Sequence, residues 1–137
     1  MLDLTSLKKA VGALERSINA ANANMATLGA DMQDTVRAGV IQNFEVAYEQ
    51  CWKFIQRWIR ENRTPEDADN PRTRNELFRL AANYGLIPDP EPWFAYGAAR
   101  NLTSHTYNIE QAQAAYSVAQ SFLKDAKILL LRLEKND

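Results

Sequence analysis

The feature that most constrains this chain is a line of apolar residues spaced for one face of a helix. Ile109, Ala112, Tyr116, Ala119, Leu123, Ala126, Leu130 and Leu133 recur at alternating steps of three and four. A helix turns once in 3.6 residues, so this spacing stacks the apolar groups into one seam, whereas a half-buried strand would alternate every second residue. No alternating run of strand length competes with it in the chain. Asn108, followed three residues later by Gln111, has the spacing of a capping box at the helix start.

The same rhythm occurs twice more. Leu4, Leu7, Val11, Leu14, Ile18 and Ala21 predict a helix over about residues 4–23, with Asp3 or Thr5 as its cap. Val36, Val40, Phe44, Ala47, Cys51, Phe54 and Trp58 predict a second over about 34–62. Between them, 22–34 is weakly patterned and Gly29 marks an interruption. The polar stretch ENRTPEDADNP, 61–71, carries two prolines and reads as a loop, the best candidate for a mobile segment. A third helix is expected over about 72–84, stopped by Gly85. Asp89 and Pro90 then open a fourth that carries Trp93, Phe94, Arg100 and His105.

Three long amphipathic helices and two shorter ones specify an all-α fold, an antiparallel up-and-down four-helix-type bundle with an additional short helix. At 137 residues the chain is expected to form a single domain over 1–137. An apolar seam serves a bundle core and a helix-mediated homodimer equally well, and the spacing leaves both open.

Charge and cysteine usage narrow the function classes. A net charge of −1 argues against coating nucleic acid by bulk electrostatics and leaves room for a local basic patch. One cysteine, Cys51, rules out an intrachain disulfide framework and fits a reducing compartment. Its place on an apolar seam reads as a small buried hydrophobe. With one histidine and one cysteine, no zinc set is expected and no metal or cofactor is assigned. The N-terminal MLDLTSLKKAVGAL lacks the apolar run of a signal peptide, and no stretch is long enough to span a bilayer, so a cytoplasmic protein is expected.

The stretch RNLTSHTY, 100–107, holds the only histidine. On a regular helix Asn101 and His105, four apart, share a face, so the amide can orient the imidazole. Arg100, five residues before His105, lies about 140° around the helix and can flank the same cleft. Histidine exchanges protons near neutral pH, and arginine can hold a phosphate and steady a phosphorane. These parts suffice for metal-free RNA cleavage, in which a 2′-OH attacks the adjacent phosphate. The reaction needs both a base and an acid, which a symmetric dimer would supply as two histidines. The competing reading is a histidine that merely caps a helix end.

Other groups carry two readings each. Lys53, Arg57 and Arg60 form a basic stripe that either contacts RNA or a partner or is a solvated face balanced by nearby acids. Trp52, Trp58 and Trp93 either stack bases or pack the core. Glu45 and Glu49, four apart, either bind a cation or form an ion pair with Arg100 or Lys53 that sets the arginine's direction.

The segments GVIQNFEVAYEQCWKFIQRWI (39–59), RTRNELFRLAANYGLIPDPEPWFAYGAARN (72–101) and RNLTSHTY resemble, in order and spacing, the nucleotidyltransferase substrate-binding protein family of the HEPN superfamily. The resemblance covers about residues 4–133; its most specific parts are Phe44, Glu45, Glu49, Trp52 and Lys53, and the R-N-x3-H-x-Y block. It implies a helical bundle that dimerises and works with a minimal nucleotidyltransferase encoded nearby. It also implies one of two activities: a ribonuclease toxin, or a non-catalytic subunit that presents substrate to that enzyme. By the same resemblance Arg100 and His105 are the catalytic pair, and Tyr107 is a tyrosine to which the nucleotidyltransferase adds AMP. A purely structural dimerisation bundle is the third reading; it would need neither Arg100 nor His105.

Overall fold

The computed structural model describes residues 1–103 and 109–137. Among them are six α-helices: α1 (Thr5–Asn24), α2 (Ala30–Asn62), α3 (Pro65–Asp69), α4 (Arg74–Asn83), α5 (Glu91–Thr103) and α6 (Ile109–Asn136). The all-α bundle expected from the spacing is the fold observed. α2 is the central helix: α1 and α6 pack along it, α3 and α4 lean on its C-terminal half, and α5 lies against α6 and α4.

The seam of α1 is buried as its spacing requires, with Leu7, Leu14 and Ala21 fully enclosed. Before it, the Asp3 carboxylate accepts hydrogen bonds from the Thr5 amide and hydroxyl at 3.0 and 2.6 Å. A short 3-10 turn, Met25–Thr27, follows, and Gly29 stands immediately before α2, where the interruption was expected. Val40, Phe44, Ala47, Cys51, Phe54 and Trp58 of α2 all face the core. Cys51 is fully buried, and burial pushes its thiol well above the usual range, so it behaves as packing.

Two expectations need correction. Residues 61–71 do not form an open loop. Thr64 accepts a hydrogen bond from the Asp67 amide, Pro65 occupies the first turn, and Glu66 and Asp67 face the positive helix end, so α3 forms there. The turn is tied down by Gln56 Nε2 to the Ala68 carbonyl (3.0 Å), Tyr84 Oη to Asp67 Oδ2 (2.7 Å) and Arg60 to Asp69 (2.5 Å).

The buried line of α6 is also not the expected one. Ala115, Ala119, Phe122, Ala126, Leu129 and Leu133 are buried, whereas Tyr116, Leu123 and Leu130 are only partly covered and Ile109 is 61% exposed. The helix is wedged between several neighbours and presents a broad apolar face, of which the expected seam is one edge. Its expected cap, Asn108, lies outside the described residues.

The centre of the core is aromatic. Phe122 is ringed by Phe44, Tyr96 and Trp93 at centroid distances of 5.1, 5.3 and 5.6 Å, all edge-on, the arrangement that ring quadrupoles favour. Tyr48 and Phe78 extend this cluster toward the surface. The site described next lies over that extension.

Candidate functional site

Three helices bring the site together. On α2, Glu45, Glu49 and Trp52 recur at steps of four and three and share one face beside the buried Tyr48. On α5, Gly97, Arg100 and Asn101 share another. The start of α4 supplies Arg74 and Asn75. That start is set locally: Thr73 accepts from the Glu76 amide at 3.2 Å, the hydroxyl half of a capping box, and puts Arg74 in the first helical position. The end of α4 is equally local. Gly85 takes φ +80°, and the amides of Gly85 and Leu86 return to the carbonyls of Ala82 and Ala81, a Schellman closure.

Between these helices lies a cavity of about 530 Å³ lined by Tyr48, Glu49, Arg74, Phe94, Gly97, Arg100 and their neighbours. Arg100 is anchored at its wall. One terminal nitrogen pairs with Glu45 Oε2 at 2.9 Å, with the two side chains 25% and 26% exposed. Partial burial and a hydrogen-bonded carboxylate hold the guanidinium more firmly than a surface pair would. Its Nε is buried and has no hydrogen-bond partner among the described residues. The direction of the arginine is thus set from α2, with its side chain in the cavity lining.

Glu49 does not pair with a cation among the described residues. Its Oε2 accepts from the Trp52 indole at 3.2 Å. The Arg74 guanidinium carbon lies 3.2 Å from the centroid of the Trp52 ring, a flat stack, and Lys53 approaches the same ring at 5.7 Å. Tyr48 points its hydroxyl at α5. Burial pushes its pKa up to about 12, with Arg74 and Arg100 both acting against that rise. The hydroxyl therefore stays a proton donor at neutral pH. Position 97 has to be glycine for this approach: a Cβ there would stand 2.8 Å from Tyr48 Oη.

Of the residues singled out in the sequence, Arg100, Asn101 and Glu49 line the cavity, and Glu45 holds Arg100. His105 and Tyr107 lie outside the described residues. Lys53, Arg57 and Arg60 lie on α2 away from this lining; Arg60 is paired with Asp69, and Arg57 lies over Phe54 at 4.9 Å. Trp58 and Trp93 are core residues, whereas Trp52 is only partly buried and serves as a platform. Sequence reasoning did not single out Tyr48 or Gly97, and it gave Arg74, with Arg72 and Arg79, only as charge added near the basic stripe. The Thr73–Glu76 cap was a readable signal for where Arg74 falls on its helix; nothing local pointed to Gly97. Among the described residues no helix is long and apolar enough to cross a membrane.

Comparison with known proteins agrees with this architecture. The family model described as nucleotidyltransferase substrate binding protein like matches residues 2–135. A curated relative from Haemophilus influenzae, named "Probable ribonuclease HepT", is 37% identical over 106 residues, spanning 77% of this chain and 73% of its own. A solved Haemophilus influenzae structure, described as revealing the fold of a substrate-binding domain of a nucleotidyltransferase, superposes with a TM-score of 0.88 at 32% identity, covering 96% of this chain and 99% of its own. A crystal structure from Thermus thermophilus superposes with a TM-score of 0.74 at 26% identity, covering 93% of this chain and 98% of its own. With nearly its whole length matched by the family model and its bundle shared with these structures, the chain belongs to the nucleotidyltransferase substrate-binding-protein-like family.

Proposed function

We propose that this protein is a cytoplasmic, metal-independent ribonuclease that acts as a homodimer, the toxin of a two-gene pair whose antitoxin is a minimal nucleotidyltransferase. The observation that carries the reading is Arg100, clamped by Glu45 at 2.9 Å on the wall of a polar cavity and five residues before the only histidine. The relative named as a ribonuclease adds support.

In this mechanism the 2′-OH of RNA attacks its own 3′-phosphate. One His105 takes the hydroxyl proton as the new O–P bond forms. The His105 of a second protomer gives a proton to the departing 5′ oxygen as the old P–O bond breaks. Arg100 holds the phosphate and offsets the charge gathered on the phosphorane. Asn101 orients the imidazole, Glu45 orients Arg100, and Glu49 steadies the Trp52 indole on which Arg74 lies. Products are a 2′,3′-cyclic phosphate and a 5′-OH. Lys53 and Arg57 are the better candidates on α2 for contact with RNA or the partner enzyme, since Arg60 is already paired. AMP added to Tyr107 would bring a phosphate charge and a planar base beside the cleft and repel the RNA backbone.

A second reading is favoured by the description of the solved Haemophilus influenzae structure: a non-catalytic subunit that presents substrate to a separate nucleotidyltransferase. Incubation of the purified protein with RNA and chelator, beside His105→Ala, separates the two. Cleavage by the unsubstituted protein alone, leaving cyclic phosphate ends, is expected. Intact RNA in both reactions, from dimeric protein whose Tyr107 is unmodified by mass, selects the substrate-presenting subunit.

A further inference from the structure

We infer that Arg74 is a second phosphate-binding residue of the cleft, holding an RNA backbone phosphate next to the one that Arg100 holds; this deepens the ribonuclease reading and rests on it.

Arg74 and Arg100 come from different helices and line the same cavity. Both act against the rise in the Tyr48 pKa that burial causes. Their local situations differ. Arg100 is held by a carboxylate, whereas Arg74 forms no ion pair with any described residue. Glu49 lines the same cavity but accepts from the Trp52 indole and makes no ion pair with Arg74, so the Arg74 N–H groups carry no carboxylate among the described residues.

Its shape suits a phosphate. Stacking on Trp52 fixes the plane of the guanidinium and leaves the edge of N–H donors free, the geometry that meets a phosphate with two parallel hydrogen bonds. The stack also places the side chain before the ligand arrives, which reduces the entropy lost on binding. Phe94 lines the same cavity and, with its ring beneath Arg79, offers an apolar wall. The volume of about 530 Å³ accommodates a nucleotide beside the scissile linkage.

The test measures binding of a fluorescent 2′-O-methyl oligoribonucleotide, which has no attacking hydroxyl and so stays intact. Affinity is followed across salt concentration for the full chain, Arg74→Gln and Arg74→Lys. Removing one phosphate contact should lower the slope of log affinity against log salt by about 0.7 and weaken binding about tenfold. Arg74→Lys should keep the slope, because the charge is kept. Should Gln loosen the packing of α4 on α2, Arg74→Met keeps an apolar stem on Trp52 and should show the same loss of slope. A wild-type slope in the Gln and Met variants, an equal loss of slope in the Lys variant, or no binding by the unsubstituted protein would each overturn the assignment. Parallel reactions on unmodified RNA keep the two ideas apart. Cleavage with an unchanged Arg74→Gln slope removes only the Arg74 role. Arg74-dependent binding without cleavage removes the catalytic reading and leaves Arg74 as a binding residue.

Discussion

Two stretches of α5 are built on different principles. The first carries Trp93 and Tyr96 into the aromatic cluster around Phe122, where ring edges meet ring faces and both side chains are buried. The second, one turn on, carries Gly97, Arg100 and Asn101 to a cavity large enough for a nucleotide. Volume and shape decide the first stretch; charge and the absence of a side chain decide the second. The polar stretch inherits its precision from the apolar one. Arg100 meets Glu45 at 2.9 Å because the rings below hold α5 at a set height over α2.

The largest effect should come from the apolar stretch. Trp93→Ala removes a fully buried indole and should cost about 3–5 kcal/mol, read as a lower denaturation midpoint, with the cleft lost through unfolding. A folded, stable Trp93→Ala protein would break the dependence of one stretch on the other.

Next comes Gly97→Ala. The added methyl meets Tyr48 Oη at 2.8 Å, and the overpacking cost of about 1–3 kcal/mol should exceed the gain of about 1 kcal/mol in helix propensity. On a Tyr48→Phe background the hydroxyl is gone and the same substitution should become stabilising. A change of sign between the two backgrounds, measured by urea melts, would establish that the hydroxyl alone requires the glycine.

Glu45→Gln should leave the fold in place and reduce RNA cleavage about tenfold, by loosening Arg100 without removing it. An equal loss of stability and activity would instead make the ion pair a structural tie.

The smallest effect is confined to alkali. Burial raises the Tyr48 pKa from 10.0 to about 12, so the neutral phenol is favoured in the folded state. The stability this contributes is present below pH 10.0 and is lost as pH rises toward about 12, because the unfolded chain gives up the proton first. Tyr48→Phe should therefore be less sensitive to alkali than the unsubstituted chain in thermal melts, and equally stable to acid.

Much of the bundle is legible in the spacing of its apolar residues. The seams of α1 and α2 are buried as that spacing requires, and the stop at Gly85 is observed as a left-handed glycine. These are local properties, set by the helical period and by single capping residues. The misreadings are of two kinds. Proline and acidic residues in 61–71 read as loop markers, although after Thr64 they also spell a helix start. On α6 two apolar lines share Ala119, Ala126 and Leu133, and spacing alone does not say which neighbours will cover the rest. In the site, Arg100 and Asn101 stand out because they precede the histidine by five and four residues. Trp52 stands out with Phe44, Glu45, Glu49 and Lys53 in the resemblance, whereas Arg74 is one more charge near the basic stripe and is not marked by its sequence neighbours.

Residue type and spacing are enough to establish that the chain is helical, roughly where its helices begin and end, and which side chains suit phosphate chemistry. Those properties depend on interactions within one or two turns. Packing between helices is needed to decide that Glu45 engages Arg100, that Arg74 lies on Trp52, and that Tyr48 leaves no room for a side chain at position 97. The ion pair, the stack and the close approach each join residues on different helices. Their meeting depends on how the aromatic core sets the height and rotation of one helix over another, which no local spacing encodes.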